Sequence, residues 1–247
     1  NLNTHVSKMI STTTCSVPTI QHIIQNANCT DVEELEKLKD NLSAVYNNLN
    51  NNDLESIPEN ITKNKEQIDK AKEVFRQNYL ADGIRRENDA EHMWHFALTA
   101  MTLYPYAKKK VDLDRVIKMA ILHDIIEVYS GDTYAYDEEA KKSQHAREME
   151  ACEKIFGLLP GDQGEEMKAL FLEFEAMETD DALFAAACDR FQPFMLNLSS
   201  GGKSWLEHEV YADQIIERMQ PIRTEMPEVF EYIETNIAEA KAKGLLK

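Results

Sequence analysis

Four side chains in this sequence have the type and setting to hold a metal ion: His92, the adjacent His123 and Asp124, and Asp189. His123-Asp124 stands between Ile121-Leu122 and Ile125-Ile126, and Asp189 lies between Ala185-Ala186-Ala187 and Phe191. An ionisable pair in such surroundings is costly to bury unless it is paired or bound to a metal. Side chains of neighbouring helical residues point about 100° apart. A His and an Asp side by side can still chelate one ion from a single backbone. Imidazole with carboxylate suits a borderline or hard divalent cation. Taken alone, the dipeptide reads first as a buried hydrogen bond that holds a core together. His92 in Glu91-His92-Met93-Trp94-His95, and Asp189 in Cys188-Asp189-Arg190, shift that reading. Three separate segments then each bring a ligand on or near an apolar face, and helices can converge such ligands in a bundle interior. Two imidazoles and two carboxylates leave room on an octahedral ion for water and substrate oxygens.

The elements that must position these residues read as helices. Apolar residues recur at helical spacing in segments 64–80, 90–107, 113–131, 138–160, 164–177, 179–198, 204–220 and 227–244. The second should bury Met93, Phe96, Ala97, Ala100 and Met101 on one face, and Gly131 should close the third. No alternating pattern of useful length marks a strand. Eight glycines and seven prolines in 247 residues also argue against an all-β fold. The expected fold is an all-α, non-repeating bundle. The core domain is expected over 61–247, with residues 1–60 as an extension. Within that extension Val32, Leu35, Leu38, Leu42, Val45 and Leu49 predict one helix after an N-cap at Thr30 or Asp31, packing on the domain or on a second subunit.

Composition excludes several functions. A net charge of −17 repels a phosphate backbone, so no nucleic-acid polymer is expected. A small phosphorylated substrate stays open, because local positive groups and a metal override the global field. No apolar run is long enough for a bilayer span. Cys15, Cys29, Cys152 and Cys188 are scattered without a C-x-x-C pair and read as reduced thiols in a cytoplasmic protein. The acceptor tripeptides at Asn28 and Asn60 find no secretory context.

The wider text around the four residues carries a resemblance. R-R-E-N-D-A-E-H-M-W from Arg85, M-A-I-L-H-D-I-I-E-V-Y-S-G-D-T from Met119 and C-D-R-F-Q-P from Cys188 resemble the HD-domain superfamily of metal-dependent phosphohydrolases. The likeness is to the branch that holds bacterial 5′-deoxynucleotidases and their eukaryotic relatives. It covers about three quarters of the chain, from Ile61 onward. It implies an HD-domain helical bundle whose His92, His123, Asp124 and Asp189 hold one divalent metal. Mn²⁺, Co²⁺ or Mg²⁺ would be preferred, with Fe²⁺ or Zn²⁺ also accepted. It further implies that Glu127 handles the proton of the attacking water and that Asp132 lies beside that water. It places Arg85, Arg86, Trp94 and Thr133 at the substrate, although Trp94 equally suits helix packing. The implied reaction is hydrolysis of phosphate monoesters, nucleoside 5′-monophosphates first, and the implied assembly is a homodimer. Alternatives are another small phosphoester or pyrophosphate, or a regulatory scaffold on the same fold.

Some positions depart from that pattern or invite a plainer reading. The arginine-tryptophan pair expected upstream is absent. That region reads Arg76-Gln77-Asn78-Tyr79, with Arg76 the nearest candidate. Between the HD pair and Asp189 only His145 occurs, whereas binuclear relatives supply two further histidines there, so one metal is favoured. Glu91 could orient a histidine, and Lys141, Lys142 and Arg147 suit a solvated surface. Gly201-Gly202-Lys203-Ser204 lacks the upstream glycine and strand of a phosphate loop and reads as a turn, covering the site with His208.

Overall fold

The computed structural model describes residues 57–159 and 162–247. Cys15, Cys29, the acceptor tripeptide at Asn28 and the helix expected from Val32 to Leu49 lie outside the described residues. A compact unit runs from Glu59 to Lys247. Its helices are α1 (Ile57–Lys70), α2 (Asp89–Leu103), α3 (Leu113–Leu122), α4 (Glu127–Ser130), α5 (Glu138–Phe156), α6 (Asp162–Ala176), α7 (Asp180–Ser199), α8 (Lys203–Glu207), α9 (Ala212–Arg218), α10 (Gln220–Glu225) and α11 (Pro227–Ala242). The helical expectation therefore holds in the main, and its departures bear on the site.

The first departure is a hairpin. Segment 64–80 does not form one helix: α1 stops at Lys70, and Phe75–Tyr79 forms strand β1, antiparallel to β2 (Arg86–Asn88). The local chemistry explains the switch. Phe75 and Tyr79 are aromatic strand formers. Gly83 at φ +68° closes the turn, its N–H donating to Leu80 O at 2.8 Å. The strand brings Arg76, Gln77 and Asn78 to the lining of a cavity.

Helix α2 starts at a capping box, with Asn88 Oδ1 accepting from Glu91 N at 2.9 Å. Its buried face is Asp89, His92, Met93, Phe96, Ala97, Ala100 and Leu103. Met101 is 52% exposed, contrary to expectation. The buried arc is centred on Asp89, His92 and Phe96, so Met101 falls about 120° from its middle.

The third expected helix also breaks. Helix α3 ends at Leu122, and His123 is its C-cap, its N–H donating to Met119 O at 3.0 Å. Three-residue turns follow: Ile125 N to Leu122 O at 3.3 Å and Glu127 N to Asp124 O at 3.0 Å. This tightening redirects His123 and Asp124 relative to a continuous helix. The pair thus sits at a helix end, and Glu127 opens α4 rather than extending α3. Segment 204–220 breaks likewise into α8 and α9, with Glu209 at φ +53° between them.

Helix α7 crosses the centre of the bundle. Thr179 caps it, accepting from Ala182 N at 3.2 Å. Ala185, Ala186, Ala187 and Cys188 are buried, and their small side chains let neighbouring helices approach closely. Pro193 inside the helix removes the N–H that would bond Asp189 O. A main core around Phe96, Met119, Phe184, Phe194, Trp205 and Ile215 packs on one side. A smaller cluster of Ile125, Ile126, Cys152, Ile155 and Phe171 packs α5 and α6 over the HD turn. Among the described residues, no helix is long and apolar enough to cross a membrane.

Candidate metal centre

Helix α2 brings His92, the α3 end brings His123 and Asp124, and α7 brings Asp189. His92 Nε2 lies 3.0 Å from Asp189 Oδ1 and 3.6 Å from Asp124 Oδ2. His123 Nε2 lies 3.0 Å from Asp124 Oδ2 and 3.6 Å from Asp189 Oδ1. The rings meet edge-on at 5.2 Å between centroids. Four donor atoms from three elements therefore surround one point.

The outer nitrogens of both rings are committed. His123 Nδ1 is 3.0 Å from Ala120 O, an acceptor only, so Nδ1 carries the proton. His92 Nδ1 is 2.9 Å from Gln192 Oε1. Gln192 Nε2 in turn donates to Glu87 Oε1 at 2.7 Å and meets His95 Nδ1 at 2.8 Å. In the neutral rings both Nε2 lone pairs then face carboxylate oxygens. Lone pairs opposed at 3.0 Å in a buried setting call for a positive charge between them, a proton or a metal ion. His123 Nε2 is buried without a hydrogen-bond partner. These residues fit a divalent cation, with the outward N–H groups fixing the tautomers as metal sites require.

A carboxylate cluster adjoins this point. One oxygen each from Asp89, Asp124 and Glu127 lies within 4.8 Å of the others. Arg76 bonds Asp124 directly and lies 3.6 Å from Asp89. The electrostatics separate these acids into two groups. Burial opposes ionisation of Asp189, but the hydrogen bonds and charges of His123 and His92 outweigh it and hold its carboxyl well below the usual range. Burial opposes Asp124 too, and His123 with Arg76 keeps it low. Burial and the Asp124 charge push Asp89 up to about 8, against Arg76. The same two causes lift Glu127 well above its ordinary value. Burial also raises Asp132, more than Arg76 lowers it. For His123, burial disfavours the imidazolium, yet the neighbouring carboxylates lift it to about 10. Acids with opposed shifts in one cleft are the pattern of an acid–base site.

The cavity over these groups holds about 240 Å³. His123, Asp124, Glu127, Asp132, Thr133 and Asp189 line it. Arg147 braces its loop, donating to Ser130 O at 2.8 Å and to Thr133 Oγ1 at 3.0 Å. Arg85, Arg86 and Trp94, like His92, are not among its lining residues. Arg85 forks onto Glu91 at 2.6 and 2.8 Å, and the pair is exposed. Arg86 leans over Tyr79 and toward Glu207 at 3.8 Å. Trp94, 65% exposed, borders a separate apolar hollow with Ile68 and Ile121. The guanidinium groups lining the cavity are those of Arg76, Arg190 and Arg218.

Other expected positions are plainer. Glu91 caps α2 rather than orienting a histidine; Glu87 and Gln192 stand in that place beside His92. Lys142 and His145 are exposed, and the Lys141 side chain lies outside the described ones. Gly201 and Gly202 form the α7–α8 turn, with Lys203 donating to Gly83 O at 3.0 Å. His208 packs on Tyr134, a cavity residue, at 4.2 Å between centroids. Asp89 and Gln192 escaped the sequence reading. Each lies three residues from a ligand on the same helix face, the spacing that could have found them.

Fold and site together define a helical-bundle protein with a mixed imidazole–carboxylate centre for a divalent metal. The chain belongs to the HD-domain family, whose model matches residues 68–230. It is 30% identical over 124 residues to "5'-deoxynucleotidase HDDC2" of Homo sapiens, covering 50% of this chain and 59% of that relative. The chain thus spans less than two thirds of the length of that relative. It is 29% identical over 159 residues to "5'-deoxynucleotidase hdd1" of Schizosaccharomyces pombe, covering 61% of this chain and 79% of that one. Among solved structures, a "predicted metal-dependent phosphohydrolase" from Magnetospirillum magnetotacticum MS-1 superposes with a TM-score of 0.73 at 40% identity, covering 78% of this chain and 96% of that one.

Proposed function

We propose that this protein is a metal-dependent hydrolase of phosphate monoesters, with nucleoside 5′-monophosphates as its first substrate class. The observation that carries the reading is the convergence of His92, His123, Asp124 and Asp189, with both imidazoles turned by acceptors at Nδ1. The similarity to two 5′-deoxynucleotidases supports the substrate class. We assign those four residues to one divalent ion, with Mn²⁺, Co²⁺ and Mg²⁺ to be tried first and Fe²⁺ or Zn²⁺ also accepted by two imidazoles and two carboxylates. Bound there, such an ion lowers the pKa of water and draws charge from phosphoryl oxygens.

The chain's own groups supply the rest. Glu127, whose carboxyl burial and the Asp124 charge lift well above its ordinary value, exchanges a proton through Oε2, which is buried without a partner. Asp132 and Thr133, at the rim of the same cavity, orient water and substrate oxygens. Arg76 keeps Asp124 ionised and correctly turned. Free, buried Cys152 and Cys188 agree with the cytoplasmic setting we assign. A homodimer is the assembly to test by light scattering.

The experiment is phosphate release from a panel of nucleoside monophosphates, using metal-stripped protein resupplied separately with Mn²⁺, Co²⁺ and Mg²⁺. Release that needs the metal and vanishes in Asp189→Ala supports the reading. Silence across nucleotides with release from other phosphoesters or pyrophosphate would move the substrate class. Silence in protein that binds no metal would leave a scaffold on an HD fold.

A further inference from the structure

Two arginines that line the cavity form no ion pair among the described residues. Arg190 follows Asp189 on α7 and is half-buried. Its Nη1 has no exposed surface and no hydrogen-bond partner, and its Nη2 reaches the Met177 sulfur at 3.4 Å. Arg218, in the last turn of α9, lines the same cavity. Its side chain makes no hydrogen bond or ion pair among the described residues. Its charge complements the α9 C-terminus, a plainer role that would require no cavity. Arg76, the third guanidinium, is already held by Asp124 and Asp89.

A partly buried charge without a partner is costly, and two of like sign in one cavity are more so. The charges of Asp189 and Glu175 act on Arg190, and that of Asp132 on Arg218, but none of these acids forms an ion pair with its arginine among the described residues. In a chain of net charge −17, with 44 acidic residues, acids to neutralise this pair were abundant. The field of such a surface repels phosphate, so a phosphorylated ligand needs a local reversal of sign. Guanidinium forks match phosphate oxygens.

We infer that Arg190 and Arg218 form the clamp for the substrate's phosphate group, gripping the oxygens that face away from the ligand residues. The phosphate is then held by two elements, α7 and α9, and Arg76 serves the acids rather than the substrate. The inference rests on the hydrolase reading for the origin of the anion, but it can be read without turnover.

The test is calorimetric titration of inorganic phosphate into the metal-loaded full chain, with Arg190→Gln, Arg218→Gln and the matching Lys variants. Loss of one charge-assisted contact predicts about tenfold to hundredfold weaker phosphate binding in each Gln variant, with partial recovery in Lys. KM should rise for every monophosphate tested, while metal content and the unfolding midpoint stay near the parent's. Unchanged phosphate affinity in an Arg218→Gln protein that keeps its metal would overturn the inference. So would a KM effect confined to substrates with a second phosphate, which would assign the pair to another anionic group. If Arg190→Gln fails to fold, Arg218→Gln alone decides. If phosphate binds through the arginines but no ester is cleaved, the clamp stands and the hydrolase reading fails.

Discussion

At the residue scale, ligand and proton-handling side chains should separate cleanly by experiment. Asp189 Oδ1 touches both imidazoles, at 3.0 and 3.6 Å, so Asp189→Ala removes a donor that no neighbour replaces. The expected outcome is loss of bound metal by elemental analysis, with phosphate release at background. Glu127 reaches none of the imidazole nitrogens within ion-pair distance among the described residues, yet it lines the cavity with a carboxyl raised by burial and by Asp124. Glu127→Gln keeps the shape and removes the exchangeable proton. It should retain the metal and lose about 10²- to 10⁴-fold in kcat, the usual worth of a general acid–base group. Loss of metal in this variant would instead make Glu127 a ligand.

At the element scale, the site depends on how three segments are held together, and one side chain does much of the holding. Gln192 on α7 links His92 on α2 to Glu87 on β2. Gln192→Leu fits the same volume but strands the His92 Nδ1–H and a Glu87 oxygen, and His92 is then free to rotate. Metal affinity should fall about 10- to 100-fold, as when other partners of metal-bound histidines are removed. Competition with a chelating dye measures this, and unchanged affinity would mean that packing against Phe96 alone orients the ring. The helical elements were legible in the sequence because their apolar spacing is regular, and the four donors because they interrupt it. The hairpin was not legible. Phe75 to Tyr79 is too short and too polar to alternate, and only its pairing with β2 makes it a strand. Arg76 therefore reaches the site from a place that a helix could not offer. The break after Leu122 was hidden for another reason: Ile125 and Ile126 continue the apolar helical spacing, while buried packing enforces tighter turns. Arg190 is adjacent to a ligand, but its lack of a partner is a tertiary fact.

At the scale of the whole molecule, the centre sits where α2, α3, α6 and α7 meet, so its charge balance bears on the stability of the entire bundle. His123 packs on Phe96 and Phe174, at 5.1 and 5.0 Å between centroids, inside the core. Without metal, its imidazolium is the positive charge that keeps Asp124 and Asp189 company. Its folded pKa of about 10 lies above the ordinary histidine value of about 6.5. For a raised pKa, the stabilisation is complete below the unfolded value and is lost as pH rises through the folded one. Asp89, raised to about 8, acts in the same direction, since its neutral form is favoured in the fold. Asp124 and Asp189, held low, lose their contribution only in acid. The metal-stripped protein should therefore unfold at progressively lower temperature from about pH 6.5 to about pH 10, a change on the order of a few kcal/mol. A divalent ion replaces the proton between the carboxylates, so the metal-loaded protein should lose this slope. It should also gain about 2.7 kcal/mol at a free metal concentration a hundredfold above Kd. Binding should release protons in this window, read as a calorimetric enthalpy that depends on the ionisation heat of the buffer. Parallel pH profiles of the unfolding midpoint, with and without metal, would show that His123 is neutral in the apo fold. The core would then hold its opposed donors by packing alone.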